Sequence, residues 1–303
     1  MRDDRKPTIG HRAEHALFMG TVKLAGALGD RGSATLGAAL GTLGYFPFRF
    51  RRQLVEKHLR WAFPDQNDAW IRATARAAYA HLGREALATL RLAAMTREDV
   101  IERTTVINGD AFRAAVEKGN GVVLVSGHVG NHEIGAASLA ARGYPLDVVV
   151  QRQGNPLFDA SLIAARERLG LSVIDRRHAT RLAIKSLRSG RVAGFAADQN
   201  AGKAGVFVPF FGRLASTHRG AALFAAKTGA PLFLGTCLRK GDRYEGRLDA
   251  IEVSREGSLD DVVYRLTYAF TQRLETVVRS APEQYLWLHR RWRTRPPEEP
   301  KAG

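Results

Sequence analysis

The chain has 303 residues, about 45% of them hydrophobic, which suits one large domain or two small ones with a substantial core. Its formal net charge of +16 favours an anionic partner: a nucleic acid, an anionic membrane surface or a phosphorylated substrate. The single cysteine, Cys237, excludes an internal disulfide framework, and its apolar surroundings in PLFLGTCL predict a buried position.

The N-terminal part of the chain predicts helices that associate with a membrane surface. No cleavable signal stands out in MRDDRKPTIGHRAEH. Residues 32–48, GSATLGAALGTLGYFPF, carry no charge but are short and glycine-rich for a spanning helix. The basic, aromatic segment that follows, RFRRQLVEKHLRWAF, is typical of an element in the headgroup region of an anionic leaflet. The alternative is a buried Gly/Ala-rich helix pair with a solvated basic face. We therefore predict a helical, membrane-associating lead over residues 1–67.

Residues 68–303 are predicted to form one integrated α/β domain. Helical periodicity covers residues 68–92. Beyond it, the apolar runs GVVLVS, LDVVV, RVAGFAA and PLFLGTCL alternate with helical stretches at residues 131–142, 157–169, 179–189 and 217–228. This alternation implies a mixed, largely parallel central sheet flanked by helices. A hairpin turn in LRKGDRYEG leads into a strand, RLDAIEV, which adds an antiparallel part. Ser258 and Asp261 are predicted to cap a helix over residues 259–280.

The stretch GHVGNHE, residues 127–133, places several chemically active side chains at one predicted junction. GVVLVS reads as a buried strand, and Asn131 is the predicted N-cap of the next helix. His128 then lies in the turn at the carboxyl end of a strand, which is where open α/β sheets bind ligands. The helix start also offers free backbone N–H groups to an anion or an oxyanion.

Three interpretations of this stretch compete. In the first, His128 and His132, four residues apart, ligate a metal with Glu133, although the pair lacks the glutamate of the H-E-x-x-H motif. In the second, the stretch is a glycine-rich turn with a satisfied histidine. In the third, His128 is a general base held by Glu133, whose carboxylate folds back from the first helical turn. We predict the general base, without a metal or another cofactor.

In its wider context GHVGNHE resembles the H-x4-D/E signature of the lysophospholipid-acyltransferase-like superfamily, in the branch of the lipid A biosynthesis (late) acyltransferases. Further blocks are similar to that branch, come in the same order and cover roughly residues 45 to 296. FRFRRQLVEKHLRWAFP is similar to the N-terminal lead of the branch, and the blocks after GHVGNHE are VVVQRQGNPLFD, GFAADQN, GVFVPFFGRLASTHRGAALFAAKTGAPL and the closing PEQYLWLHRRWRTRP. His132 departs from the branch, which more often has an aromatic residue, commonly tryptophan, at this position.

The resemblance implies transfer of an acyl chain from a thioester to a glycolipid hydroxyl at the cytoplasmic face of the bacterial inner membrane. The expected donor is acyl carrier protein or acyl-CoA, and the expected acceptor is an anionic glycolipid such as a lipid A precursor. The alternative within the family is a phosphatidylinositol mannoside acyltransferase that uses acyl-CoA. Because a thioester is already activated, no nucleophilic serine is required, and the chain has no G-x-S-x-G motif.

The matching blocks supply the remaining candidate substrate-binding residues. Arg152 and Asp198 each follow a predicted strand, so we expect both on the same rim as His128, with Gln199 beside them. Arg152 is a candidate oxyanion donor, and Asp198 is expected to hold Arg152 or to contact the acceptor. The other candidates are Asn131, an acyl-chain wall or piece of core formed by Phe207, Phe210, Phe211 and Gly212, and two phosphate ligands, Arg213 and Arg219.

Two other classes of protein are consistent with part of the sequence. A nucleic-acid-binding protein would explain the net charge, but the chain has no zinc-knuckle, RRM or helix-turn-helix pattern, and we predict no nucleic-acid partner. A metal-dependent hydrolase would use the two histidines of GHVGNHE, and metal analysis of the pure protein distinguishes it.

Overall fold

The computed structural model describes residues 6–296; the outer ends of the two predicted ranges, residues 1–5 and 297–303, lie outside the described residues. Helices lead the chain, and strands and helices then alternate. The helices are α1 (Ile9–Ala27), α2 (Gly29–Tyr45), α3 (Arg52–Ala62), α4 (Asp68–Arg91), α5 (Arg97–Arg103), α6 (Gly109–Glu117), α7 (His132–Ala141), α8 (Pro156–Arg168), α9 (Ala179–Arg188), α10 (Gly220–Thr228) and α11 (Leu259–Ser280). The strands are β1 (Thr104–Ile107), β2 (Val122–Ser126), β3 (Leu146–Val150), β4 (Ser172–Asp175), β5 (Val192–Ala196), β6 (Val206–Phe210), β7 (Arg213–Thr217), β8 (Leu232–Lys240) and β9 (Arg243–Ile251).

Seven of these strands form one sheet in the order β1-β9-β8-β2-β5-β3-β4. Every neighbouring pair is parallel except β8 and β9, which form an antiparallel hairpin. After β2 the chain crosses to β3, toward the β4 edge of the sheet. After β5 it crosses to β8, toward the β1 edge. The direction of the crossover connections therefore reverses between the neighbouring strands β2 and β5. The predicted α/β class, with a largely parallel sheet and an antiparallel hairpin, is therefore confirmed.

Helices cover both faces of the sheet, and side chains from β2 show how the two cores divide. Val123 and Val125 belong to the larger core with α3, α4, α9, α10 and α11, whereas Val122 and Leu124 belong to the smaller core with α5, α6 and α7. Alternate residues of a strand point to opposite faces, so a central strand with both faces covered is apolar throughout. This burial explains why GVVLVS has no polar alternation.

Glycines bring α2 and α4 into close backbone contact. A Cβ atom on Gly41 would lie 2.0 Å from the carbonyl oxygen of Tyr79, and one on Gly37 would lie 2.5 Å from that of Gly83. Only glycine permits this approach. The glycine-rich stretch thus packs against another helix, as the helix-pair alternative predicts. Within residues 6–296, no helix combines the length and the apolarity needed to cross a bilayer.

Most predicted helices lie within a few residues of their predicted bounds, and the helix over residues 259–280 matches α11. Ser258 accepts a hydrogen bond from the backbone of Asp261, whose side chain accepts one from the backbone of Ser258, as the predicted capping box requires. The hairpin β6–β7 was not predicted as a hairpin. Its segment lies apart from the seven-stranded sheet and packs on α11.

Candidate active site

A hydrogen-bonded pair, His128 and Asp198, stands at the carboxyl edge of the sheet. Strands β2 and β5 are parallel with Ser126 opposite Ala196, so the residues two positions beyond each strand end lie side by side. The Nδ1–H of His128 donates to Oδ1 of Asp198 at 2.6 Å, and the backbone N–H of His128 donates to Oδ2 at 2.8 Å. The pair occupies the point where the strand order reverses, which is the ligand-binding position of such sheets.

Backbone hydrogen bonds hold the turn that carries His128. The carbonyl of His128 accepts from the N–H of Leu286 at 3.0 Å, and the N–H of Gly130 donates to the carbonyl of Gln284 at 2.8 Å. Gly130 has φ +62, and a Cβ atom there would lie 1.9 Å from the carbonyl oxygen of Cys237. The glycine is therefore required, and the C-terminal segment after α11 forms part of the site.

The surroundings of the pair make the imidazole more basic and keep the carboxylate ionised. Burial by itself would lower the pKa of His128, but the charge of Asp198 and the hydrogen bond to it raise that pKa above its ordinary value. Burial would likewise raise the pKa of Asp198, and the charge and hydrogen bonds of His128 lower it well below its usual range. With Nδ1–H directed at Asp198, Nε2 carries the basic lone pair, and it accepts a hydrogen bond from the side-chain amide of Gln199 at 3.3 Å.

Glu133 does not hold His128 as predicted. It is the second residue of α7, and its carboxylate forms a two-point ion pair with Arg166 of α8, at 2.6 and 3.0 Å. This pairing, through the hydrogen bond and the charge of Arg166, lowers the pKa of Glu133 against the opposing effect of burial. Glu133 lies near His128, as its spacing in the sequence predicts, but its carboxylate is turned toward Arg166, and the carboxylate that accepts from His128 is that of Asp198. The charge of Glu133 still acts on His128 through space.

His132 lies beside His128, with their ring centroids 4.8 Å apart in an edge-on arrangement. Its desolvation, followed by the charge of His128, lowers the pKa of His132 to about 4, so its imidazole is neutral at cellular pH. Across the described residues, no three His, Cys, Asp or Glu side chains are grouped as a metal site would require.

A cavity of about 780 Å³ opens beside the pair, within the range of roughly 300–1,000 Å³ typical of small-molecule sites. The polar part of its wall, which we call the mouth, is formed by His128, His132, Glu133, Arg152, Arg166, Arg176 and Gln199. A second part, which we call the apolar arm, lies between the sheet and α7. It is lined by Leu124, Gly135, Ala136, Leu139, Leu146, Gly194, Gly235 and Leu248.

The mouth brings together several predicted site residues. Arg152 and Gln199 line it with His128 and Glu133. Asp198 lies immediately behind His128 with 3% of its surface exposed, so it cannot contact an acceptor directly. The prediction that Asp198 holds Arg152 is also wrong, because Arg152 forms its ion pair with Asp159 of α8.

The FVPFFG segment forms β6 and the turn after it, away from the cavity wall. Phe210 and Phe211 are buried in the larger core, where the ring of Phe210 lies 5.8 Å from that of Tyr285. The core alternative therefore holds for these two residues, and the acyl-wall alternative does not. Phe207 is half-buried on the same strand, and Gly212 has φ +69 at the exposed turn.

Arg213 and Arg219 also lie outside the cavity wall. The guanidinium of Arg213 stacks over the ring of Trp61 at 4.2 Å, and Arg219 pairs with Asp260 at 2.7 Å. Their predicted contact with acceptor phosphates has no geometric support at this cavity. The arginines that do line it are Arg152, Arg166, Arg176 and Arg247.

A buried network that the sequence did not predict lies beneath the turn that carries His128. Asn131, a predicted substrate ligand, is only 3% exposed; its side chain caps α7 and donates to Oε2 of Glu85 at 2.9 Å. Tyr244 donates to the same oxygen at 2.8 Å, and Arg239 pairs with the other carboxylate oxygen. The network connects α4 with β8, β9 and the start of α7. A buried glutamate in the middle of an amphipathic helix is its only signal in the sequence.

The histidine–carboxylate pair beside a partly apolar cavity suits an enzyme, and the relatives of the chain define its class as O-acyltransferases. The sequence matches the family described as bacterial lipid A biosynthesis acyltransferase over residues 5–294, and the chain belongs to that family. It is 30% identical over 264 residues to the lipid A biosynthesis lauroyltransferase of Escherichia coli (strain K12), covering 86% of this chain and 85% of that protein.

Two further relatives differ in the acceptor or the acyl chain that their names give. The lipid A biosynthesis palmitoleoyltransferase of Escherichia coli (strain K12) is 28% identical over 265 residues, covering 86% of this chain and 85% of that protein. The phosphatidylinositol mannoside acyltransferase of Mycolicibacterium smegmatis is 29% identical over 232 residues, covering 75% of this chain and 74% of that protein. The family is thus shown, whereas these relatives leave the acceptor open.

Proposed function

We propose that this enzyme transfers an acyl chain from a thioester, carried by acyl carrier protein, to a hydroxyl of a lipid A precursor. The observation that carries the proposal is the His128–Asp198 pair at the mouth of a cavity with an apolar arm. The family membership supports the reaction class, and the lipid A relatives support the acceptor. The proposed place of action is the cytoplasmic face of the bacterial inner membrane.

In the proposed mechanism, Nε2 of His128 is the general base. It removes the proton of the acceptor hydroxyl as the oxygen attacks the thioester carbonyl carbon, and Asp198 stabilises the imidazolium that forms. When the tetrahedral intermediate collapses, the carbon–sulfur bond breaks and the imidazolium returns the proton to the thiolate. Such base catalysis contributes about 100- to 10,000-fold.

The carbonyl oxygen becomes an oxyanion in this step and needs hydrogen-bond donors. The first backbone N–H groups of α7 have no acceptor within the helix, and His132 and Glu133 at that helix start both line the mouth. Arg152 lines the mouth as well, with its charge partly balanced by Asp159. We assign the oxyanion to these donors. The ion pair of Glu133 with Arg166 then serves to hold α7 and α8 around them.

The apolar arm is the proposed site of the acyl chain. Apolar side chains and glycines form most of its wall, so an alkyl chain there would be removed from water. The arginines at the mouth, Arg166 and Arg176 among them, fit an anionic donor or acceptor. Helix α9 begins at the cavity wall with Ala179 and Thr180, and its exposed face carries Arg181, Lys185 and Arg188, which supports an anionic donor.

Mass spectrometry tests the proposal directly. The purified enzyme is mixed with an acyl carrier protein thioester and a tetra-acylated lipid A precursor, with His128→Ala as the paired variant. We expect a mass gain of one acyl group that the variant fails to produce. A gain in both would refute the general-base role. Transfer only to a phosphatidylinositol mannoside with acyl-CoA as donor would select the alternative function, which the Mycolicibacterium relative supports.

A further inference from the structure

A compact group of exposed apolar side chains projects from the C-terminal end of α2 and the loop after it. The group, which we call the apolar tip, comprises Leu40, Leu43, Phe46, Phe48 and Phe50. Their exposed fractions are 52%, 44%, 59%, 74% and 57%, respectively. Single exposed apolar residues are common on soluble proteins, but five within eleven positions, three of them phenylalanines, form a patch that indicates an interaction surface.

The protein holds the apolar tip outward. The backbone N–H of Phe48 donates to the carbonyl of Leu43 at 3.1 Å, and that of Phe50 donates to the carbonyl of Gly44 at 2.9 Å. The hydroxyl of Tyr79 on α4 donates to the carbonyl of Phe50. With α2 pinned to α4 by their close glycine contact, the loop has a defined shape, so its phenylalanines stay on the surface.

Positive charge is interleaved with these rings. The guanidinium of Arg49 lies 5.9 Å from the ring centroid of Phe46, and that of Arg51 lies 5.4 Å from that of Phe50. Both arginines are exposed. An apolar surface edged by arginines matches the interface of an anionic bilayer, where rings enter the acyl boundary and guanidinium groups meet phosphates.

The apolar tip also lies next to the active site. Arg51 donates from Nη1 to the carbonyl of Leu288 at 3.2 Å. Two residues earlier in that segment, the N–H of Leu286 donates to the carbonyl of His128 at 3.0 Å. A single short segment therefore separates the tip from the catalytic turn.

We propose that the apolar tip inserts into the surface of an anionic lipid leaflet and thereby sets the mouth of the cavity against that surface. The inference rests on the proposed function for its purpose, since a lipid acceptor would then offer its hydroxyl to His128 without leaving the leaflet. The insertion itself is independent of which lipid is acylated.

The test compares a tip variant, combining Phe46→Ser, Phe48→Ser and Phe50→Ser, with a matched control. The control combines Leu259→Ser, Tyr264→Ser and Tyr268→Ser on α11, which removes three large exposed side chains, each less exposed than the tip phenylalanines, from another surface. Co-sedimentation is measured with vesicles of phosphatidylcholine alone and with added phosphatidylglycerol, at low and high salt. Thermal unfolding checks each fold, and Phe48→Ser alone replaces the triple variant if that one unfolds.

We expect the tip variant to bind anionic vesicles at least about tenfold more weakly than wild type, and the control to bind as wild type does. Wild-type binding should weaken in high salt and on neutral vesicles. Equal binding by the tip variant and the control would overturn the proposal. Binding that is independent of both lipid charge and salt would also overturn it. The same holds if wild type forms a dimer in solution that the tip variant does not form.

An activity assay distinguishes failure of the membrane insertion from failure of the proposed function. We expect the tip variant to lose transfer to an acceptor embedded in vesicles and to keep transfer to the same acceptor in detergent micelles. Equal loss in both media would overturn the role of the apolar tip in presenting the acceptor. If wild type transferred an acyl chain in neither vesicles nor micelles, the proposed function would fail. The vesicle-binding measurement would still test whether the apolar tip inserts.

Discussion

The substitution Asp198→Asn probes the arrangement of the catalytic pair most sharply. In the wild type both carboxylate oxygens accept hydrogen bonds, one from Nδ1–H of His128 and one from its backbone N–H. An asparagine has only one oxygen. If this oxygen pairs with the backbone N–H, the amide group faces Nδ1 and donates to it, so the imidazole proton moves to Nε2. Nε2 is the proposed base, and a protonated Nε2 cannot accept the hydroxyl proton.

The expected loss in kcat is about 100- to 10,000-fold, the usual contribution of a positioned base, or about 3–5 kcal/mol at 1.36 kcal/mol per tenfold. The pH profile adds a second readout. The base must be neutral, so the rate rises with pH through the pKa of His128, which Asp198 raises above 6.5. Without the carboxylate charge, burial dominates and lowers that pKa. The acidic limb of the remaining activity should therefore move to lower pH.

The assay is acyl transfer followed by mass spectrometry across a pH series, with Glu133→Gln as the matched carboxylate-to-amide variant. Because Glu133 pairs with Arg166 and not with His128, we expect Glu133→Gln to lose far less activity than Asp198→Asn. Asp198→Asn retaining more than about a tenth of wild-type kcat, with Glu133→Gln losing about a hundredfold or more, would refute the assignment of Asp198 and restore Glu133 as the partner.

Three further predictions concern the framework around the site. Glu85→Leu leaves the buried guanidinium of Arg239 without its carboxylate and should lower the free energy of unfolding by about 3–5 kcal/mol, measured by urea denaturation; an unchanged midpoint would contradict it. Gly41→Ala forces a Cβ atom into the carbonyl of Tyr79 and should lower the free energy of unfolding by about 1–3 kcal/mol, read as a fall in Tm. Gly130 has a positive φ, so Gly130→Ala strains the backbone and displaces the turn that carries His128. We expect a larger relative fall in kcat than in Tm; a kcat equal to that of wild type would refute this.

Local patterns were sufficient to predict much of the fold. The continuous apolar run of GVVLVS predicts a strand covered on both faces, and β2 is such a strand. Ser258 three residues before Asp261 predicts the start of α11, because a capping box is a contact within one turn of helix. The position of His128 at a strand end also follows from adjacent segments alone. Each of these features is set by residues close together in the chain.

Partners distant in the sequence were decided only by the tertiary structure. Asp198 meets His128 because β2 and β5 pair in parallel with a given register, and no local pattern states which strands are neighbours. Glu133 lies within reach of His128 in sequence, yet Arg166 on another helix attracts its carboxylate. Phe210 and Phe211 are residues that would suit a lipid-binding wall equally well, but the packing of β6 on α11 places them in the core.

By itself the sequence determined that this protein has an α/β fold, a histidine at a strand-to-helix turn, and a basic, aromatic N-terminal region, because periodicity, caps and composition act over a few residues. The tertiary structure decided which carboxylate holds the histidine, which arginines line the cavity, and which phenylalanines are buried or exposed. These outcomes depend on strand order and on helix packing, in which each side chain responds to charges and volumes contributed by segments far away along the chain.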